Sequence, residues 1–252
     1  MGERTAGDDD QAAGLRRLFG PAAARLAPVL IDADRAGSQA ASIVRLAQAC
    51  ARNGERTLLL DCARAHVATS LGLRARFDLL HALRGECSPA QVRLDAGANL
   101  CVVPAVRALE QADNAATLLT MLAACANAQP AVDLVVLVVD AAHATLLRTA
   151  IRGEIIVPVP RETSGLTGLL RSLTKVAGGA DIAGFRLLFP AWDADAAARL
   201  YMELVQACGA RLNAELRYGG AVRVARDWSQ VARAMSEWEL VRLPRPQTVR
   251  TF

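Results

Sequence analysis

The chain has 252 residues, 53% of them apolar and only 4% aromatic, with a net charge of +4. An apolar content this high excludes a disordered chain, and the composition is neither collagen-like nor that of a coiled coil. The length suits one large α/β domain or two small ones, with an aliphatic core.

Residues 1–9 are polar and small, and Asp10–Phe19 (DQAAGLRRLF) reads as a short helix, stopped by Gly20-Pro21. Asp8, Asp9 and Asp10 supply N-caps and favourable charge at its start. The stretch PAAARLAP is ambiguous, with Pro28 at the end of a linker. Strands and helices then alternate. Val29–Ile31 is a short strand, and Ser38–Arg52 is a helix with Ile43, Leu46, Ala47 and Cys50 on one face. Thr57–Leu60 is a buried strand ending at Asp61. Phe77–Leu83 is helical, and Ser88-Pro89 starts another short helix. Leu100–Val103 is a strand, Thr117–Ala128 a helix, and Leu134–Val139 a strand ending at Asp140. Ile155–Val159 is a strand, followed by a Thr163–Ala177 helix; Phe185–Phe189 is a strand, followed by an Asp193–Cys208 helix. Leu216, Val222 and Val224 suggest short terminal strands before a Trp228–Met235 helix. The strand runs are apolar on both faces and each leads into a helix. That predicts a doubly wound, mostly parallel sheet of about seven strands. The expected division is an N-terminal helix and linker (1–27), an α/β domain (28–243) and a tail (244–252).

The densest apolar stretch, Leu118–Val139, is interrupted by Thr120, Asn127, Gln129, Pro130 and Asp133, so it never reaches membrane-spanning length. Acidic residues stand where a signal peptide would be basic and then apolar, which predicts a cytoplasmic protein. The six cysteines (Cys50, Cys62, Cys87, Cys101, Cys125, Cys208) form no CxxC pair, and free thiols in a reducing compartment are expected. His66, His81 and His143 form no HExxH, and no GxSxG is present, so neither a zinc site nor a hydrolase serine is predicted. Lys175 is the sole lysine in the chain. Any mechanism needing a lysine elsewhere is excluded.

In a doubly wound fold ligands sit at the carboxyl ends of the strands, so the first strand-to-helix loop carries the interest. Here it reads Asp32-Ala33-Asp34-Arg35-Ala36-Gly37-Ser38-Gln39-Ala40. A phosphate-binding loop needs glycines whose N–H groups cradle the phosphates, a lysine for the β/γ oxygens, and Ser or Thr for magnesium. This loop has one glycine and no lysine, and two carboxylates face the site. A carboxylate ~4 Å from a phosphate charge repels it by roughly 4 kcal/mol at an effective dielectric of ~20.

The order of elements resembles the MinD/ParA class of deviant P-loop ATPases over residues 28–243. Counting back from TLLLD (Thr57–Asp61), the signature lysine of that class falls near Asp34, its P-loop lysine near Gln39 and its magnesium-binding hydroxyl near Ala40. Asp140 matches the Walker-B acid. Asp61 matches the first acid of a DxD pattern whose second acid is Ala63 here. The segments DLLHALRGECS (Asp78–Ser88) and VPRETSGLT (Val159–Thr167) are similar to segments of the class. The resemblance implies Mg-ATP as cofactor; the missing residues imply that none is expected unless the site still works. The degenerate site would comprise Asp34, Arg35, Gly37, Ser38, Gln39, Ala40, Asp61 and Asp140, with Asp61 and Asp140 acting as strand-end caps and no catalytic residue in the domain.

Asp10-Gln11-Ala12-Ala13-Gly14-Leu15-Arg16 resembles the DQAxxLR element of the FlhG family, MinD-like regulators of flagellar number and placement. The resemblance implies that this element activates FlhF, a GTPase of the signal-recognition-particle class, through Asp10, Gln11, Ala12, Leu15 and Arg16. It also implies coupling to flagellar transcriptional regulators or basal-body components, and a place at the cell pole through such partners. The residue chemistry suits docking. Asp10 favours a helix N-terminus, the Gln11 amide both donates and accepts, Leu15, Leu18 and Phe19 form an apolar face, and Arg16 reaches anions. So short a helix is unstable alone in water and would fold on binding. The family's amphipathic membrane helix has no counterpart in the Leu243–Phe252 tail, where Pro244 and Pro246 forbid a helix; this argues against membrane association. Two other readings remain open: an ATPase working with an unusual loop through Arg35 and backbone amides, and a ParA-like protein that binds DNA without sequence preference. No sequence-specific nucleic-acid binding is expected.

Overall fold

A computed structural model describes residues 23–33, 36–127, 131–144, 146–147, 151–178, 182–208, 212 and 214–243. Seven strands are mutually parallel: β1 (Arg25–Ile31), β2 (Thr57–Asp61), β4 (Leu100–Pro104), β5 (Leu134–Asp140), β6 (Glu154–Pro158), β7 (Gly184–Pro190) and β8 (Glu215–Val222). Two two-residue strands, β3 (Leu94–Asp95) and β9 (Val241–Arg242), add antiparallel pairs to β4 and β1. The sheet order is β3-β4-β2-β5-β1-β6-β7-β8, with β9 beside β1. The doubly wound α/β architecture expected from the apolar runs is therefore the one found. The hints at Leu216 and Val222 belong to one edge strand, whereas Val224 caps the helix that follows.

Helices cover both faces. On one face α1 (Ala36–Arg52) places Ile43, Leu46, Ala47 and Cys50 against Val29, Leu59, Val136 and Val138. There are four short helices, α2 (Val67–Ser70), α3 (Leu79–Leu83), α4 (Pro89–Val92) and α5 (Val106–Glu110); the last three and three long ones cover the other face. Of the short ones α2 instead packs its Val67 and Ala68 with the α1 side. The long helices are α6 (Ala115–Asn127), α7 (Thr163–Ala177) and α8 (Ala194–Cys208); Leu118, Leu122, Leu173 and Leu204 meet Val135, Leu137, Val157 and Phe185. A last helix, α9 (Ala225–Ala234), returns to the α1 face with Trp228 and Val231. Alternate residues of β5 thus serve opposite cores, which is why LVVLVV carries no polar residue.

Pro28 lies inside β1 rather than at the end of a linker, and the strand begins at Arg25. A central strand tolerates a proline only where no ladder bond needs its N–H. β1 pairs with β5 along its whole length, but on its other side it meets β9 at Arg25 and Leu26 and β6 only at Val29. Pro28 occupies the change of partner.

Glu154, fully buried at the start of β6, is held by two guanidinium groups, one from β7 and one from β8 beyond it. Arg186 grips it with two bonds, Nε–Oε2 at 2.9 Å and Nη2–Oε1 at 2.5 Å, and lies 4.8 Å over the Trp238 ring. Arg217 bonds it from β8 while also bonding Glu215 and Glu239. The cluster ties segment 238–243 to the sheet.

Candidate functional site at the carboxyl ends of the central strands

The carboxyl ends of β1, β2, β5 and β6 converge where the fold directs a ligand. Gln39, in the first turns of α1, points inward and is only 8% exposed. Its Oε1 accepts the backbone N–H of Asp32 at 3.1 Å, and its Nε2 donates to the carbonyl of Pro158 at 3.2 Å. One side-chain amide therefore joins the exit of β1 to the exit of β6, using a donor and an acceptor together as no lysine can. The neighbouring cavity, between Ile31, Asp32, Gln39, Pro160, Leu169 and Ser172, measures about 10 Å³. That is the space of a single water. The carboxylate of Asp32 lies against Gly168 of α7, where a Cβ would come within 2.4 Å of Oδ2. Glycine at that position lets helix and loop approach this closely.

Asp61 is 6% exposed, and its carboxylate is taken up by its own loop. Oδ1 accepts from the N–H groups of Ala63 (3.3 Å) and Ala65 (3.0 Å), and Oδ2 from that of Val67 (3.1 Å). The loop wraps the carboxylate by placing Arg64 and His66 at φ 54°, the left-handed region. Such strain persists where the surroundings dictate it, here through three charge-assisted bonds. Asp140 ends β5 and caps the short 3₁₀ turn Ala141–His143, accepting the N–H of Ala142 at 2.7 Å. His143 Nδ1 stands 3.4 Å from its Oδ1. That imidazole first, and the Ala142 N–H with it, hold the Asp140 carboxyl below the ordinary aspartate value against the opposing effect of burial.

Ala40 is buried and offers no oxygen; Gly37 is exposed, with open space where a side chain would be; Ser38 lies in α1 beside it. Asp34 and Arg35 lie outside the described residues, as do Asp10, Gln11, Ala12, Leu15 and Arg16. Lys175 is exposed near the end of α7 and contributes the weakest of the influences on Asp140. The structure thus brings Gln39, Asp61 and Asp140 to one end of the sheet, but each is engaged within the domain. Sequence reading missed His143 as the partner of Asp140, although DxxH spacing after a strand is a readable signal. It also missed Asp32 against Gly168 and the Pro158 carbonyl, which have none. No group of His, Cys, Asp and Glu side chains suited to a metal occurs among the described residues.

A larger cavity among the described residues lies at the opposite end of the sheet. It measures about 680 Å³ and is walled by Arg56, Thr57, Arg93, Leu100, Cys101 and Val132, among others. No helix among the described residues is long and apolar enough to cross a membrane.

No family model matches the sequence, and no curated protein is significantly similar to it. Solved structures with the same fold are numerous. The MinC:MinD cell division protein complex of Aquifex aeolicus matches with a TM-score of 0.63 at 15% identity, over 88% of this chain and 99% of that one. A plasmid partition protein of Borrelia burgdorferi matches at 0.59 and 12% identity, over 85% and 99%. Cobyrinic acid a,c-diamide synthase of Mycobacterium smegmatis, with an ATP analogue and magnesium bound, matches at 0.59 and 14%, over 88% and 100%. The fold is that of the MinD/ParA-type P-loop NTPases.

Proposed function

We propose that this MinD/ParA-type fold serves as a regulator of the FlhG kind, stimulating an FlhF-type GTPase through residues 10–16, and that its own site no longer cycles ATP. The observation that carries the second part is Gln39. At the place of the P-loop lysine, its amide is spent on Asp32 and Pro158. The described residues do not fit a magnesium nucleotide. Ala40 stands where the hydroxyl would be, and Asp61 has given its oxygens to three amides. Leaving a buried donor or acceptor unmade costs about 1–3 kcal/mol, so Gln39 does not readily swing out to meet a ligand.

The first part rests on DQAAGLR. A short helix with an apolar edge (Leu15, Leu18, Phe19) and a neutral amide at Gln11 suits docking beside a GTPase centre, where an amide orients the attacking water. The MinD neighbour stands in complex with another protein, MinC, a precedent for partner binding on this fold. Its setting would be the cytoplasm and, through partners, the cell pole, with flagellar transcriptional regulators or basal-body components as further contacts.

GTP turnover by the FlhF-type GTPase of the same organism, with and without the full chain, tests the reading. Stimulation that disappears in Gln11→Ala is expected. Equal stimulation by that variant, or none from the parent chain, refutes it.

A further inference from the structure

The helices α1 and α9 lie side by side on one face of the sheet. Each follows a strand of the parallel set, β1 or β8, so both run back toward the amino ends and are parallel to each other. Two contacts set their level. Asn53 Nδ2 donates to the Ser229 carbonyl at 3.3 Å, and Cys50 Sγ lies 3.8 Å from Met235 Sδ. The last turn of α1 therefore stands beside the second half of α9. Arginines occupy matching places on the two solvent sides: Arg45 and Arg52 are exposed on α1, Arg226 and Arg233 on α9. Two turns separate the members of each pair, about 10 Å of helix. Packed helix axes stand about 8–10 Å apart, so the four arginines are rooted at the corners of a rough square.

Neighbouring acids do not neutralise this square. α1 carries none. The one acid of α9, Asp227, gives its carboxylate to the N–H groups of Arg223 and Val224, at 2.8 and 3.0 Å. The segment Ala63–Phe77, part of which packs against α1, has no acid either. Among the described residues none of the four arginines is ion-paired. We infer that this face binds an acidic helix of a partner protein, laid along the groove between α1 and α9. Carboxylates at i, i+4, i+7 and i+11 of such a helix form one stripe that meets both arginine rows. The guanidinium fork suits a carboxylate, which it can grip with two bonds. Other polyanions fit less well. The net charge of +4 is short of the field that gathers nucleic acid. Val224, 59% exposed at the start of α9, is too little apolar surface to enter a membrane, but it supplies the apolar spot that a protein contact uses beside arginine. The inference goes beyond the function proposed above and does not depend on it, since residues 10–16 take no part.

Fluorescence anisotropy tests this with the full chain and a labelled, alanine-rich helical peptide of about 20 residues that carries glutamate in that stripe. The competing probes are an isomer with the same glutamates spread around the helix, a short DNA duplex, and vesicles containing phosphatidylserine. At about 50 mM salt, where exposed charges are weakly screened, the striped peptide should bind about tenfold more tightly than any of them. Arg45→Glu with Arg226→Glu should weaken it about tenfold, whereas Arg171→Glu, exposed on α7 on the other face, should not. Thermal melts check that each variant is folded, and Arg45→Gln with Arg226→Gln replaces the first if it is not. No binding of the striped peptide, equal binding of the isomer, or binding that survives the double variant overturns the inference. Preference for the duplex or the vesicles overturns it too, and assigns the face to nucleic acid or to a membrane.

Discussion

Gln39 is the residue on which the carboxyl-end site turns, and its replacement by lysine separates two roles. A lysine supplies the charge a phosphate wants but cannot accept the Asp32 N–H. It also leaves a charge in a space of about 10 Å³. Gln39→Lys is expected to lower stability by about 1–3 kcal/mol, a fall of roughly 2–12 °C in Tm by calorimetry. A lysine that left Tm unchanged would mean that the amide bridge is not a stabilising contact. Asp133 supplies a second, pH-dependent case. The Arg56 guanidinium bonds it at 3.0 and 2.7 Å and holds its carboxyl below the ordinary aspartate value. A folded value below the unfolded one gives stability that is present above the unfolded value and lost as pH falls through the folded one. Arg56→Ala should therefore move the Asp133 titration upward, read by carboxyl NMR, and flatten the acid limb of the stability profile. Neither partnership is visible from sequence alone, because residues 56 and 133 come together only across the β2–β5 pair. Asp140 and His143 are different. Three residues apart after a strand, they were within reach of a sequence argument.

At the scale of elements, the periodic helices and apolar strands were legible because they obey local rules: two-sided burial for strands and one apolar face for helices. The Thr163–Ala177 helix lies as expected, and the long helices α1, α6 and α8 differ from expectation by two residues or fewer at their ends. β3, β9, α2 and α5 escaped, being two to five residues long and stabilised by what they pack against rather than by pattern. The strap that includes β9 is the clearest such case. A Cβ on Gly153 would stand 2.4 Å from the Glu239 carbonyl, which itself accepts the Glu154 N–H at 2.9 Å. Gly153→Ala must push the strap off the sheet. The expected result is faster hydrogen exchange at the Glu154 and Leu243 amides and a loss of about 1–3 kcal/mol in urea unfolding. Unchanged exchange at both amides would show that the strap yields without cost.

For the whole molecule, the two poles of one sheet differ in kind. At the carboxyl end, where this fold places ligands, Gln39, Asp61 and Asp140 are each held by internal bonds. Clefts of about 680 and 340 Å³ among the described residues lie at the amino end. A nucleotide present at a hundred times its dissociation constant would add about 2.7 kcal/mol of stability. In a domain of this size that is roughly 5–10 °C in Tm. Millimolar Mg-ATP is expected to leave Tm unmoved; a rise of that size would restore the ATPase reading and displace the closed-site account.

By itself the sequence determined the alternation of strands and helices, the parallel class of the sheet, and the absence of a lysine from the first strand-to-helix loop. All of these follow from residue type and local period. Tertiary structure alone decided how the gap was filled. Gln39 meets Pro158 across 119 positions of chain, and the contact exists because β1 and β6 are neighbours in space. It also decided which residues share a pole, since strand direction within the sheet, not position in the chain, puts Gln39, Asp61 and Asp140 at the carboxyl end.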